Sequence, residues 1–374
     1  MSRIRSSLTR SIAGLAGITA ALVGPCDGSR AQAQTSAAPA TEFYAGKTLT
    51  IIVGLASGGT VDTFVRTLIP YLKKHIPGNP TIIAQNMPGA GGLLATNFIH
   101  ERAKPDGLTV SSGPWDPLAQ ALGHATLRAR YEQLQYYGGF ADTRVLYART
   151  DIVPGGIKQP ADIMKASNVA VGAQNATDLS GLLSAVALDL LGVKNKFVMG
   201  YRGGTEVFLA MQRGEVQMHN TSIGTFRTRN AAFIKSGEGV AICYLAAVDQ
   251  DGRVNKSPHL PELLALPELY EKINGRLPSG VDWETMSWLT RLFSDMAYIG
   301  FAPTKTPEAP LAALRKGFAD AMADPEFIKH SIAQNGVPYE PVAVDKARAI
   351  FLSLAEVKPE VLATAKTWLE AFGK

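Results

Sequence analysis

The sequence predicts an α/β protein of two domains. Three observations carry that prediction. Apolar runs of strand length are followed by small-residue turns and then by apolar residues at helical spacing. This grammar occurs in two blocks, separated by a Pro-Gly-Gly exit at Pro154, Gly155 and Gly156. The 374 residues leave room for about two domains.

In chain order, "TLTIIVGL" reads as a buried strand. After its glycine turn, Val61, Phe64, Val65, Leu68, Ile69 and Leu72 fall on one helical face, with Pro70 predicting a kink or an early end. "PTIIAQN" (80–86) is a second strand, "PGAGGLLATNFI" a turn and helix, and "LTVSSG" (108–113) a third strand. Repeated strand–turn–helix units predict parallel sheets flanked by helices. "RVLYARTDIV" (144–153) is a strand that leads over to the second domain. There "NVAVGA" (168–173) precedes a helix with Leu179, Leu182, Leu183, Val186 and Leu190 on one face. "KFVMGY", "RGGTEVFLAMQRG", "EVQMHN" and "GVAICYLAAV" continue as strand, turn and helix, strand, strand. "MAYIGFAP" opens a last strand, followed by helical spacing that runs to Phe372. The expected layout is domain 1 over 41–147 plus 300–374 and domain 2 over 148–299, joined by two crossings that act as a hinge.

Composition excludes several classes. With 46% hydrophobic and 18% charged residues the chain has an ordinary globular core. The net charge of +5 is concentrated at the N-terminus, where residues 1–33 hold four arginines and one aspartate, so the remainder is only +2. No basic stripe interleaved with aromatics is present, and no nucleic-acid partner is expected. Arg3, Arg5 and Arg10, the apolar "SIAGLAGITAALVG" and the "AQA" at 31–33 form the pattern of a secretory signal peptide over 1–33, followed by a flexible leader at 34–40. The expected location is the periplasm. Cys243 sits in the apolar "VAICYLAAV" and reads as a core residue.

Enzyme motifs fail one by one. Leu55 stands where a G-x-S-x-G nucleophile turn needs its first glycine, and Gly46-Lys47-Thr48 lacks the upstream glycine of a Walker loop. Gly89-Ala90-Gly91 begins a dinucleotide fingerprint that Leu94 ends. The six histidines have no metal-binding spacing. No cofactor, metal or catalytic residue is expected.

What remains are four small-residue turns, each after a strand and before a helix. They are "SGGTVD" (57–62), "PGAGG" (88–92), "AQNATD" (173–178) and "RGGTE" (202–206). Free N–H groups at helix starts favour an anion, and hydroxyls such as those of Ser57 and Thr60 add donors. Two sheets whose carboxyl edges face each other would clamp a small anion by hinge closure. Arg202 offers a bidentate partner for a carboxylate, and Trp115 a wall for an apolar or aromatic ligand.

The order "IIVGLASGGTVD", "NMPGAGG", "AKPDGLTV", "GYRGGTEVFLAMQRGEVQ" and "SPHLPELLAL" resembles the solute-binding receptors of tripartite tricarboxylate transporters, the Bordetella uptake gene type. The resemblance implies a type II periplasmic-binding-protein fold, α/β with two domains and an interdomain ligand cleft. It implies a small organic carboxylate held largely by backbone amides and bridging waters, integral-membrane transporter subunits as partners, and a monomer. Among site residues it marks Ser57, Gly58, Gly59 and Asp62, then Gly89, Ala90, Gly91 and Gly92. In the second domain it marks Asn175, Ala176, Thr177, Tyr201, Arg202, Gly203 and Gly204. The chain departs from the family in lacking prolines before Gly58-Gly59, so a less rigid first loop is expected. It also departs at Trp115 and in longer stretches near 249–255 and 275–282. Two other readings stay open at this point: a periplasmic enzyme acting on a small carboxylate, and the ligand-binding partner of a sensor system.

Overall fold

The computed structural model describes residues 43–174, 177–246 and 253–372. The expected signal peptide and leader, and Asn175 and Ala176, lie outside these residues. The chain opens with β1 (Thr48–Val53), α1 (Thr60–His75), β2 (Thr81–Asn86), α2 (Leu93–Glu101), β3 (Thr109–Pro114), α3 (Pro117–Ala121) and β4 (Gln135–Ala141). It continues through β5 (Arg144–Arg149), β6 (Val169–Gly172), α4 (Leu179–Leu190), β7 (Asn195–Val198) and α5 (Gly204–Gln212). Next come β8 (Met218–Ser222), α6 (Ile223–Arg227), α7 (Ala231–Lys235), β9 (Gly239–Leu245), α8 (Leu266–Asn274) and α9 (Val281–Asp295). The chain closes with β10 (Tyr298–Ala302), α10 (Glu308–Ala323), α11 (Pro325–Asn335), β11 (Glu340–Pro341), α12 (Val344–Ser353) and α13 (Pro359–Phe372).

Among the described residues the strands form two sheets. One has the order β11-β4-β10-β3-β1-β2 and the other β7-β6-β8-β5-β9. The parallel pairs expected from the strand–turn–helix grammar are present: β1 with β2 and β3, and β6 with β7 and β8. The sheets are nevertheless mixed. β10 runs antiparallel to β3 and β4, and β5 antiparallel to β8 and β9. The cause is the path of the chain. A strand that enters a lobe from the crossing starts at the edge where the parallel strands end, so it must run the other way.

The registers make this concrete. Val53 lies opposite Asn86 and Ser112, and Tyr298, the first residue of β10, lies opposite Pro114 and Phe140. In the other sheet Arg144, the first residue of β5, lies opposite Ser222 and Leu245. The strand ends are therefore level, and both edges meet at the two-residue crossing Asp142-Thr143. That crossing comes earlier than the sequence suggested, because β5 belongs to the second sheet and not the first. Nothing in the residue types of 135–149 distinguishes one sheet from the other. The C-terminal segment also differs from expectation: α12 stays against β4, but α13 packs on α9 and α4, on the side of the second sheet.

One apolar core spans both sheets on the face covered by α2, α4, α9, α12 and α13, joining Ile52, Ile99 and Leu118 to Leu146, Leu183 and Leu289. A second core, with Phe64, Leu68, Leu314 and Phe318, fills the other face of the six-stranded sheet. Helix α1 runs unbroken through Pro70. Its buried face, Val61 to Leu72, packs on both sides of the proline, and that packing outweighs the one lost backbone bond. Cys243 is buried in the shared core, and burial pushes its thiol far up.

Leu289 on α9 is fully buried in the shared core. Leu289→Ala is expected to destabilise the chain by about 2–5 kcal/mol, read as a lower urea midpoint with an unchanged slope. A loss below about 1 kcal/mol would contradict this packing.

Candidate functional site

The four small-residue turns all sit on the two strand edges that meet at the crossing. In the first, Gly58 has φ of +78°, which suits glycine. Its N–H donates to Asp62 Oδ2 at 2.9 Å, and Ser57 Oγ reaches the same oxygen at 3.4 Å. The Asp62 carboxylate also accepts from Arg66 Nε at 2.9 Å and Asn86 Nδ2 at 2.9 Å, while Asn86 Nδ2 bonds the Leu55 carbonyl. Burial pushes the Asp62 carboxyl up, but Arg66, the Gly58 N–H and Asn86 outweigh it and hold it down at about 2. Asp62 thus braces the loop from behind with its oxygens already occupied. Ser57 and Gly58 are exposed at the edge, and Gly59 and Thr60 are half-buried at the start of α1.

The second turn is built by close backbone approach. Ala90, Gly91 and Gly92 all have positive φ. A Cβ on Gly92 would come within 2.9 Å of Pro114 Cγ, and one on Gly54 within 3.4 Å of Gly92 Cα. One on Gly113 would come within 3.4 Å of Gly54 N. The ends of β1 and β3 and the start of α2 therefore share one contact that side chains would wedge apart.

Trp115 needs a correction. It is 8% exposed, it stands edge-on to Tyr131 and Phe351, and its indole N–H donates to the Met296 carbonyl at 2.6 Å. It closes the core beneath the second crossing, Met296-Ala297 between α9 and β10, so it is not free to wall a ligand. Its neighbour Asp116 caps α3, accepting from Ala119 N at 2.8 Å. Burial pushes the Asp116 carboxyl up to about 6, with nearby Asp178 adding to the rise and the Thr177 hydroxyl opposing it.

On the opposite edge, Asp178 caps α4 and holds the Gln174 N–H at 2.8 Å, with Thr177 half-buried beside it. Asn175 and Ala176 fall outside the described residues. Tyr201 leans on the core under α5, with Val207 and Phe208. Gly203 and Gly204 start that helix. The Arg202 side chain is 92% exposed and stands 3.7 Å from Glu206, a surface pair of little energetic weight.

Sequence reading missed the residues at the crossing itself. Arg144 is buried and donates from Nε to Asn220 Oδ1 at 3.0 Å, from Nη1 to Asp142 at 3.2 Å and from Nη2 to Ser180 Oγ at 2.6 Å. Its guanidinium lies 4.9 Å from the Phe293 ring centre. Burial pushes the Asp142 carboxyl up to about 6 against the pull of Arg144. Beside this group a pocket opens between the lobes, lined by Thr60, Phe140, Asp142, Tyr298, Asn335 and Tyr339. Ser222 to Gly224, at the start of α6, form its other lip. Among the described residues no cluster of His, Cys, Asp or Glu could hold a metal ion, and no helix is long and apolar enough to cross a membrane.

Two mixed sheets meeting strand-end to strand-end at a short crossing, with turns along both edges, define a type II periplasmic-binding-protein fold with two domains and a cleft between them. No protein-family model matches the chain. A curated relative, the UPF0065 protein in the TAR-I ttuE-ttuC' intergenic region of Agrobacterium vitis, is 26% identical over 345 residues, 89% of this chain and 87% of that one. The periplasmic binding protein BugD superposes with a TM-score of 0.60 at 22% identity, covering 88% of this chain and 97% of BugD. MatC of Rhodopseudomonas palustris, solved with bound malate, gives 0.61 at 21% identity over 87% and 99% of the two chains. A second R. palustris protein, solved with adipate, gives 0.63 at 16% identity over 88% and 98%. The fold and the resemblance to the Bordetella uptake gene receptors are both borne out.

The Asp62 brace makes a pH-dependent prediction. Its folded pKa lies below the ordinary 3.8, so its stabilisation is full above about pH 4 and is lost as pH falls through 2. Asp62→Ala should cost about 2 kcal/mol at pH 7 and almost nothing near pH 2 in chemical denaturation. Arg144→Ala strands Asp142 without its counter-charge and should cost about 3–5 kcal/mol at pH 7. Arg144 holds the Asp142 pKa down to about 6, so without it Asp142 takes up its proton at higher pH; the cost should shrink as pH falls toward 6 and level off below, a trend that thermal melts across pH would reveal.

Proposed function

We propose that the protein is an extracytoplasmic receptor that captures a small organic carboxylate in the cleft between its lobes and delivers it to integral-membrane transporter subunits. The observation that carries the reading is the convergence of the turns. Helices α1, α2, α4 and α5 all start at the two facing edges, behind the residues Gly59, Gly92, Asp178 and Gly203. Helix starts present unpaired N–H groups and the positive end of the dipole, the donors that suit a carboxylate. Ser57, Thr60 and Thr177 add hydroxyls, and Arg202 stands at the rim. Closure of the lobes would exclude water and strengthen each charge-assisted bond.

The malate and adipate bound to the two R. palustris proteins are both carboxylates, which supports the same ligand class here. The signal-like N-terminus supports action in the periplasm. A monomer with no cofactor suffices for this role.

The test uses direct titration. A carboxylate that binds should raise the melting temperature in a screen of mono-, di- and aromatic acids. A Cβ at Gly203 would meet nothing within 4 Å, and one at Gly59, whose φ is −76°, would stand 3.3 Å from the Ala56 carbonyl oxygen, which a shift of a few tenths of an ångström relieves. Gly59→Asp and Gly203→Asp put a negative charge at each edge and should each weaken the ligand by about tenfold or more while the melting temperature without ligand stays unchanged. Undiminished affinity in both variants would contradict the cleft reading.

A further inference from the structure

The pocket at the crossing carries chemistry that the carboxylate-binding turns do not use. Its roughly 500 Å³ of empty space includes open solvent at the mouth, so the pocket is a shallow extension of the cleft and not an enclosed chamber. Thr60 on one lip and Ser222 on the other belong to the strand edges already described, so the pocket opens from the same cleft.

Its wall is aromatic. The Phe140 ring lies 4.8 Å from that of Tyr298, tilted by 36°, and 4.7 Å from that of Tyr339, tilted by 58°. Tyr298 and Tyr339 are only half-buried, which leaves ring surface for a further flat partner. Both hydroxyls are pushed up by burial and stay neutral. Asn335 closes the pocket at the end of α11. Its Nδ2 is buried and leans toward the Tyr339 hydroxyl oxygen, a loose contact that does not close to a full hydrogen bond within 3.5 Å. A buried donor without a partner is unfavourable until an acceptor reaches it. The lining also carries the carboxylates of Asp142 and Glu340, the latter 3.3 Å from His259. Asp142 is paired with Arg144, so Glu340 is the acidic group that a second carboxylate on the ligand would meet there.

We propose that this pocket takes the tail of the ligand and selects an aromatic monocarboxylate whose ring bears a neutral hydrogen-bond acceptor, in preference to a short aliphatic dicarboxylate. The inference rests on the carboxylate reading above. The acid group sits at the turns, the ring packs against Phe140, Tyr298 and Tyr339, and the acceptor takes the Asn335 Nδ2 proton.

The experiment is calorimetric titration of the full chain with 4-acetylbenzoate, benzoate and succinate. 4-Acetylbenzoate should bind about tenfold more tightly than succinate, with benzoate between them. Asn335→Leu should bring 4-acetylbenzoate to the affinity of benzoate and leave benzoate and succinate unchanged, with a melting curve confirming that the variant folds. Succinate binding more tightly than both aryl acids to the unmodified chain overturns the pocket inference and leaves the carboxylate reading standing. So does an equal loss for all three ligands in Asn335→Leu, which would mark Asn335 as a general structural residue. Binding of none of the three overturns both.

Discussion

A guanidinium in the interior governs how the two lobes meet. Arg144 begins β5, one residue beyond the crossing, and spends its donors on three different places: Asp142 in the crossing, Asn220 in β8 and Ser180 in α4. Taking such a charge out of water is expensive, and the pairing repays it only where geometry is good. Asp142 shows the strain of the arrangement from the other side, with its carboxyl pushed up to about 6 by burial. The crossing is therefore specified by polar contacts that have one good solution, while the apolar core beneath it would tolerate several. Strand direction follows from the same point, because β5 and β10 both start there and must run against their neighbours.

The strand edges themselves are made largely of backbone. Gly54, Gly92 and Gly113 let three chain segments touch, and the segment around Ala90 to Gly92 adopts positive φ throughout. The first loop has no proline before Gly58-Gly59, and the Asp62 carboxylate holds it through Gly58, Ser57, Arg66 and Asn86. The loop is thus organised from behind, with the Gly58 N–H on Asp62 and the Gly59 N–H on the Ala56 carbonyl, at the start of α1. Trp115 and Tyr131 play a comparable part under the second crossing, where they fill the core and position the Asp116 cap.

Much of this fold was legible in the sequence because local period and turn chemistry act over a few residues. The helices from Val61, Leu179 and Ala347 onward follow their apolar spacing, and the small-residue turns lie where the strands end. What was not legible depends on long-range geometry. The residue types of 135–149 carry no mark of the sheet each strand joins, so the expected boundary at 147/148 falls inside β5, a strand of the second sheet. Helix α13 has an apolar face that would suit either lobe, and it took α9 and α4. Pro70 is a local signal that tertiary packing overrode. Trp115 was ambiguous because a large aromatic near a turn fits a core or a ligand wall equally well, and only its indole bond to Met296 decides. Phe140, Tyr298 and the pair Asn335 and Tyr339 come from three distant segments, and no spacing rule connects them.

The central claim is that a carboxylate closes the two lobes about the crossing. Gln85 on β2 and Lys196 on β7 are exposed and lie on the outermost strands of the two sheets, while Cys243 is buried and the chain's other cysteine, Cys26, is changed to serine for the labelling. Spin labels on Gln85→Cys and Lys196→Cys would report the separation of the lobes by pulsed dipolar spectroscopy. The account predicts a single shorter distance when a binding carboxylate is added, and no change with Gly59→Asp in the background. An unchanged distance distribution at saturating, calorimetrically verified ligand would contradict it.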